Sequence, residues 1–315
     1  MEALSALAIK EAAERIAPFV HRTSILTSHG LNLMTGAELY FKCENFQKVG
    51  AFKYRGATNA LRQLTEEQLK NGVATHSSGN HAQALALAAQ LKGVPAYIVM
   101  PENAPRSKKY AVLGYGAHVI DCEPGQIHRE TALDKVISET GAWFIHPYND
   151  RSIIAGQATC ALELIRDAPH LDFILAPVGG GGLLSGTALA VGYFSPGSRT
   201  LGAEPSGADD AYRSLVAGKI VLSIDPKTIA DGLLTSLGTE TFPIIYRQVD
   251  RILTVGEFAI VEAMKLIWQR LKIVVEPSAA VPLAAVLGNE ELFRNKKVGI
   301  ILSGGNVDLD KLPFK

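Results

Sequence analysis

The chain has 315 residues, of which 47% are hydrophobic and 20% charged, so it can bury a core and is not disordered as a whole. Its 31 Lys and Arg balance its 31 Asp and Glu, so no overall charge attracts nucleic acid or an anionic membrane. Cys43, Cys122 and Cys160 form no CxxC pair, which disfavours a disulfide framework or a zinc site and suits a reducing compartment.

The first twenty residues contain five charged side chains, which interrupt the apolar stretch that a secretory signal requires. They predict an amphipathic helix instead. No later run is long and apolar enough to span a bilayer. We therefore expect a soluble, cytoplasmic protein. The charged residues are Glu2, Lys10, Glu11, Glu14 and Arg15.

From Glu38 onward, short apolar runs alternate with longer segments of helical periodicity. Gly93 follows one such segment as a helix stop. The alternation predicts an α/β fold in which parallel sheets are covered by helices on both faces. The predicted strands are 38–44, 72–78, 95–100, 117–123, 143–147, 172–178, 199–205 and the start of 296–308, and the predicted helices are 51–64, 79–93, 103–116, 126–141, 179–194 and 208–218.

The segment 71–149 contains a complete βαβαβα series of its own. Such a series can bury its own core, because each strand is followed by a helix that covers the sheet. We therefore predict a small α/β domain at 71–149, inserted into a larger domain formed by residues 1–70 and 150–315.

Four consecutive glycines follow the predicted strand 172–178 and open a helix at Leu183. Glycines accept positive φ and let several N–H groups converge, and a helix N-terminus adds partial positive charge, so the loop favours a phosphate. Neither a Walker motif nor a clean GxGxxG is present, since Ser185 stands where the last glycine would be. The alternative is a tight turn without a ligand. The glycines are Gly179, Gly180, Gly181 and Gly182.

Two more loops follow predicted strands. One offers hydroxyls, an amide and free N–H groups that suit a carboxylate, although ordinary helix capping is the alternative. Because ligands of parallel sheets bind beyond the carboxyl ends of the strands, all three loops should meet at one crevice. The first of these loops contains Ser77, Ser78, Gly79, Asn80 and His81, and the second runs from Leu302 to Asp308.

Lys53 follows Phe52 where a predicted strand gives way to a helix. A lysine that aromatic neighbours partly desolvate has a lowered pKa and can attack an aldehyde, whereas an ordinary lysine is a solvated surface charge. A phosphate cradle, a carboxylate loop and a nucleophilic lysine together suggest pyridoxal phosphate and an amino-acid substrate.

Five segments in order, ENFQKVGAFKYRGA, THSSGNHAQALALAA, PVGGGGLLSG, AEPSGADD and LSGGNVD, resemble motifs of the fold-type II pyridoxal-phosphate enzymes. Within that group the chain is similar to the branch of serine/threonine dehydratases, serine racemases and threo-3-hydroxyaspartate dehydratases. The resemblance implies a tryptophan synthase β-like fold with two twisted, parallel-type sheets covered by helices. It also implies a homodimer.

The resemblance also assigns roles to single residues. Lys53 matches the Schiff-base lysine, and Phe52 matches the aromatic residue that packs against the cofactor ring. Asn80 matches the asparagine at the ring hydroxyl, and Ser303 matches the serine at the ring nitrogen. The residues that match the phosphate cradle are Gly179, Gly180, Gly181 and Gly182, and those that match substrate-binding positions are Ser77, Ser78, Gly79, Asn80, His81 and Arg129.

A divalent cation site is implied at Glu204, the carbonyl of Ala208, and Asp210. Its all-oxygen ligands suit magnesium or calcium. The alternative for this acidic cluster is a capped helix start.

The resemblance implies an ammonia-lyase that eliminates water from threo-3-hydroxyaspartate, serine or threonine to give a 2-oxo acid and ammonia. The alternative is a racemase of serine or an aspartate-like amino acid, with Lys53 and Ser78 on opposite faces of the α-carbon. A nonenzymatic binder of phosphate ligands is a third possibility, against which the intact Lys53 argues. The sequence VGAFK before the helix is more similar to hydroxyaspartate dehydratases, whose β-carboxylate needs a cation, and Arg129 and His146 are the candidates.

Overall fold

The computed structural model describes residues 4–77 and 79–314, and their secondary structure is an alternation of strands and helices. The strands are β1 Ile25–Leu26, β2 Glu38–Cys43, β3 Val73–His76, β4 Ala96–Pro101, β5 His118–Cys122, β6 Trp143–Phe144, β7 Phe173–Pro177, β8 Arg199–Pro205, β9 Arg251–Val255 and β10 Lys297–Leu302. The helices are α1 Ala6–Ile16, α2 His29–Thr35, α3 Lys53–Gln63, α4 Glu66–Leu69, α5 Asn80–Lys92, α6 Arg106–Gly114, α7 Gln126–Thr140, α8 Arg151–Asp167, α9 Gly182–Phe194, α10 Asp210–Ala217, α11 Thr241–Gln248, α12 Glu257–Leu271, α13 Pro277–Leu287 and α14 Glu290–Phe293.

These strands form two sheets. The larger has the order β1-β2-β10-β7-β8-β9, and the smaller has the order β5-β4-β3-β6. All pairs between predicted strands are parallel, as expected, and the only antiparallel pair of strands among the described residues is that of β2 with the edge strand β1, which the sequence did not predict. The connection through α2 is shorter than the dozen or so residues that a parallel crossover usually requires, which favours the antiparallel arrangement.

The central strands of the larger sheet are buried on both faces. In β7 the side chains of Phe173 and Leu175 face one core, which α12 and α13 cover. Those of Ile174 and Ala176 face a second core, which α8 and α9 cover. Alternate side chains of a strand point to opposite faces, so a wholly apolar strand is what two covered faces require.

The smaller sheet is built from strands between Val73 and Phe144 and is covered in the same way. Val73 and Ile98 face α3 and α5, whereas Ala74 and Val99 face α7. The division into an inserted domain at 71–149 and a larger domain remains a prediction. Within the part of the chain that the structure describes, no helix is long and apolar enough to cross a membrane.

Most predicted elements are confirmed to within a few residues, including the helix stop at Gly93, which has a φ of 77°. Helix α8 was not predicted from the sequence, although Asp150 is a clear N-terminal cap for it. Its carboxylate accepts hydrogen bonds from the N–H groups of Ser152 at 2.7 Å and Ile153 at 3.0 Å. The other elements that sequence reasoning did not name are β1, β9, α2, α4, α11, α12, α13 and α14.

Arg55, two residues after Lys53, lies at the centre of a buried ion network. Its guanidinium donates to both carboxylate oxygens of Glu44, at 2.7 and 2.9 Å, and to both of Glu163, each at 2.8 Å. The Lys42 ammonium donates to Glu163 at 2.6 Å, so two cations meet two carboxylates. Because a buried charge without its partner is costly, the network holds β2, α3 and α8 in one arrangement.

We expect Arg55→Met to lower the free energy of unfolding by about 3–5 kcal/mol, because it leaves two carboxylates without their shared cation. Arg22→Met is the matched control, since Arg22 pairs with Asp167 at the surface and such pairs contribute less than about 1 kcal/mol. Urea unfolding followed by circular dichroism measures both changes. Equal losses in the two variants would contradict a special role for the network.

Candidate active site

The three predicted loops and the start of α3 meet at one cavity, as the arrangement of parallel strands requires. The loops follow β3, β7 and β10, and Phe52 N donates to the carbonyl of Ser303 at 3.0 Å, which ties the start of α3 to the last of them. The predicted residues that line the cavity are Phe52, Lys53, Ser77, Gly79, Asn80, His81, Arg129, Gly179, Gly180, Gly181, Gly182 and Ser303. Ser78 lies outside the described residues.

Lys53 is the first residue of α3, and its amine points into the cavity between aromatic rings. The Nζ atom is 5.3 Å from the centre of the Phe52 ring and 6.0 Å from that of Tyr148. It donates to the carbonyl of Pro147 at 2.8 Å. Desolvation lowers the pKa of Lys53 to about 8, as its aromatic setting in the sequence predicted. Roughly a fifth of this amine is therefore neutral near pH 7.4, far more than of an ordinary lysine.

The glycine loop leaves no room for side chains. A Cβ at Gly180 would lie 2.4 Å from the Tyr148 ring, and one at Gly181, whose φ is +88°, would lie 2.8 Å from side-chain atoms of Leu237 and Ile245. Backbone N–H groups from Gly179 to Gly182 donate to no other described backbone group. They sit at the N-terminus of α9, so the loop is a cradle for an anion such as a phosphate.

Asn80 is the first residue of α5, and its side chain is held from two sides. Its Nδ2 donates to Glu276 Oε1 at 2.7 Å, and its Oδ1 accepts from Asn306 Nδ2 at 2.9 Å. Among the described residues no side chain caps this helix, so capping by Asn80, the alternative interpretation, is not what the residue does. Ser77 Oγ accepts from the N–H of Gly79 at 3.3 Å, which shapes the loop.

Three histidines beside Lys53 are held neutral. Burial lowers the pKa of His76 and lowers that of His81 well below its usual range. Burial also lowers the pKa of His146 to about 3. His146 Nδ1 accepts from the N–H groups of Tyr148 at 3.2 Å and Asn149 at 2.9 Å, so its proton lies on Nε2. The suggestion that His146 is a cationic partner for a carboxylate is therefore wrong.

Arg129, on α7, brings a guanidinium to the cavity wall. Its Nε is buried and has no hydrogen-bond partner among the described residues, and none of their carboxylates forms an ion pair with it. Lys108 also lines the cavity but is paired with Asp231 at 2.5 Å. Arg129 is thus the cation on this wall that is able to receive a carboxylate from a ligand.

The three candidate cation ligands lie outside the cavity. Glu204 is the penultimate residue of β8, and its carboxylate accepts from the N–H groups of Ala211 at 3.0 Å and Tyr212 at 2.9 Å, which is a helix-capping contact. Burial raises the pKa of Glu204 to about 8 and that of Asp210 to about 6. The described residues contain no cluster of three or more His, Cys, Asp or Glu side chains placed to hold a metal ion.

Several cavity residues were not predicted from the sequence, and four of them form contacts that shape the site. Tyr148 packs on the glycine loop, Glu276 binds Asn80, and Lys108 pairs with Asp231. Each lies far along the chain from its partner or in a segment without a motif. In the sequence, Glu276 stands just before Pro277 at a helix start. That position predicts a helix cap and gives no sign that Glu276 belongs to a binding site.

Comparison with known proteins gives a consistent family. A family model described as "Pyridoxal-phosphate dependent enzyme" matches residues 16–304. The chain is 54% identical to a beta-hydroxyaspartate dehydratase of Paracoccus denitrificans, over 96% of each protein. It is 53% identical to a serine racemase of Arabidopsis thaliana, over 97% of this chain and 94% of the relative. The crystal structure of a serine racemase from Dictyostelium discoideum, 50% identical, superimposes with a TM-score of 0.92 over 96% of this chain and 98% of that one.

We expect the Lys53 amine to react with a small aldehyde reagent with a midpoint near pH 8, because its neutral form is already abundant there. Reductive methylation of ligand-free protein at a series of pH values, followed by peptide mass spectrometry, measures this rate residue by residue. Lys70, which is exposed, is the internal reference. A Lys53 profile that coincides with that of Lys70 would contradict the desolvated environment.

Proposed function

We infer a function for this chain from the family to which it belongs, the pyridoxal-phosphate dependent enzymes. Its fold is that of the fold-type II members, in line with the resemblance of its motifs. We propose that it eliminates water from a hydroxy amino acid, above all threo-3-hydroxyaspartate, to give a 2-oxo acid and ammonia. The observation that carries this proposal is that Lys53, with a pKa lowered to about 8, faces the same cavity as Arg129, whose guanidinium has no carboxylate partner among the described residues.

The residues present fit the cofactor. The free N–H groups at the start of α9 suit its phosphate, and Phe52 supplies an apolar surface for its ring. The remaining Asn80 N–H suits its ring hydroxyl, and Ser303, which is almost fully buried, suits its ring nitrogen. When bound, pyridoxal phosphate supplies an electron sink that makes the α-proton of an amino acid acidic.

Lys53 is the group that holds and moves the α-proton. An amine with a pKa near 8 is well matched to this task, since it accepts a proton readily and gives it up again at physiological pH. The loop from Ser77 to His81 is proposed to receive the α-carboxylate through its N–H groups and hydroxyls. Because burial keeps the imidazoles of His76 and His81 neutral, they add no positive charge to that side of the cavity.

Arg129 is proposed to bind a second carboxylate on the substrate. The neighbouring histidines are neutral and Lys108 is paired, so Arg129 supplies the charge that recognises a β-carboxylate. The relative named a beta-hydroxyaspartate dehydratase, with 54% identity, supports this choice of substrate.

Racemisation is the second candidate activity, and the 53% identity to a serine racemase favours it. It requires an acid or base on each face of the α-carbon. We propose Lys53 for one face and Ser78 for the other. The same site would then both eliminate and racemise.

We expect 2-oxo acid release to be fastest with L-threo-3-hydroxyaspartate when L-serine and L-threonine are compared beside it. Arg129→Met should raise KM for hydroxyaspartate roughly 10- to 100-fold, the range for losing a charged hydrogen-bond partner, and should change KM for serine little. Lys53→Ala should abolish both reactions.

Serine is the internal control for the fold of the Arg129 variant. Equal losses with serine and hydroxyaspartate would count against β-carboxylate recognition by Arg129. If none of the three substrates gives a 2-oxo acid while the α-proton still exchanges with solvent, the racemase assignment replaces the lyase.

We also propose that Glu204, the carbonyl of Ala208, and Asp210 bind a magnesium or calcium ion. Two buried carboxyls with raised pKa values need either protons or a cation, and both Asp210 oxygens have no partner of normal geometry among the described residues.

From the family resemblance we further propose that the protein is a homodimer. From its three buried, unpaired cysteines we propose that it resides in the cytoplasm.

If the cation is present, we expect chelation to lower the melting temperature and added magnesium or calcium to restore it. A bound ion stabilises the folded state by mass action, by about 2.7 kcal/mol when the free ion concentration is 100 times Kd. Asp210→Asn should remove the response, whereas Asp209→Asn, which changes an exposed neighbour paired with Arg213, should retain it. A wild-type protein that contains no metal by elemental analysis and ignores both treatments has no such site.

A further inference from the structure

Glu276 is a carboxylate of the cavity that has no part in the chemistry above. It precedes α13, is 2% exposed and lines the cavity beside Asn80 and Ser303. Its Oε1 accepts from Asn80 Nδ2 at 2.7 Å. Its Oε2 is buried and has no hydrogen-bond partner of normal geometry in the described part of the chain. A buried carboxylate in this state calls for an explanation.

While Glu276 is ionised, its carboxylate and the Asn306 amide both favour one orientation of the Asn80 amide. Asn306 Nδ2 donates to the carbonyl of Val49 at 2.7 Å and to Asn80 Oδ1 at 2.9 Å. A flipped Asn80 would place its oxygen against the Glu276 carboxylate and its NH2 against another NH2. The observed orientation leaves one Asn80 N–H for a ligand, and an ionised Glu276 strengthens it through a charge-assisted bond.

Two charged groups face Glu276 from other elements. Lys108, on α6, and Asp231, in the turn Asp231–Leu233, line the same cavity and act on the charge of Glu276, and these two are paired at 2.5 Å. Burial raises the pKa of Glu276 to about 7, the Lys108 ammonium opposes that rise, and the Asp231 carboxylate adds to it. Glu276 therefore changes charge near physiological pH, and its two neighbours bias that change in opposite directions.

We propose that Glu276 is a positioning residue that controls, through the side-chain amide of Asn80, the hydrogen bond to the cofactor ring, and that the Lys108–Asp231 ion pair sets the pH of this control. The ionised carboxylate holds the Asn80 amide as a donor toward the ring. The protonated carboxyl loses the charge-assisted bond and can itself donate to Asn80 Oδ1, so only the Asn306 amide still opposes the flipped orientation. The inference rests on the proposed contact of Asn80 with the cofactor and requires no particular substrate.

The test is the visible absorbance of the substrate-free holoenzyme between pH 5.5 and 9, a range chosen around the pKa of about 7 for Glu276. The wild type should show a spectral transition near neutral pH. Glu276→Gln keeps the size of the side chain and an oxygen for Asn80 but cannot titrate, so it should lack the transition. Its melting temperature should stay close to that of the wild type.

Two further variants separate positioning from a structural role. Lys108→Met removes a cation and should move the transition to higher pH, whereas Asp231→Asn removes an anion and should move it to lower pH, each by about 1 pH unit. If Glu276→Gln does not fold, the directions of these two shifts still test whether Glu276 causes the transition. A transition that persists in Glu276→Gln, or that moves in the same direction in both neighbours' variants, overturns the proposal.

The cofactor dissociation constant of Asn80→Ala tests the contact on which the inference rests. Weaker binding supports that contact, and unchanged binding together with an unchanged spectrum refutes it. Because none of these measurements involves substrate, their outcome does not depend on whether the assigned reaction is correct.

Discussion

The buried charges around Arg55 are the constraint on which the position of the reactive lysine depends. Arg55 lies two residues after Lys53 on α3 and binds Glu44, just after β2, and Glu163 on α8. A fully buried guanidinium without its carboxylates would be far more costly than any surface rearrangement, so the three elements take one arrangement. The rigid start of α3 then presents Lys53 to the cavity at a defined place, which a flexible loop would not do.

Burial of the cavity walls explains the protonation states of the lysine and the three histidines there. The same desolvation that makes Lys53 partly neutral also keeps His76, His81 and His146 uncharged. Charge is concentrated where a ligand needs it, at the glycine loop for a phosphate and at Arg129 for a carboxylate. Glu276 is the exception, because burial raises its pKa to about 7, while Lys108 opposes that rise and Asp231 adds to it. Under the proposed function, proton transfer and ligand recognition would therefore use separate groups within one cavity.

The parts that sequence reasoning predicted share a local signal. The glycine loop and Lys53 stand at strand-to-helix junctions, where composition alone indicates their conformation. Glu276, Lys108 and Tyr148 have no such signal, since each acquires its role from a partner distant in sequence. His146 shows the opposite error. Its residue type suggested a cation, but burial keeps it neutral.

The sequence by itself determined the α/β alternation, the family and the kinds of group at the site, because hydrophobic period, turn glycines and motif order are local properties of the chain. Only the tertiary structure decided the antiparallel edge strand β1, the protonation states of the cavity and the contacts of Asn80 with Glu276 and Asn306. Those features depend on which distant segments exclude water from one another. The pKa of a side chain and the orientation of an amide follow from that packing and cannot be read from residue types.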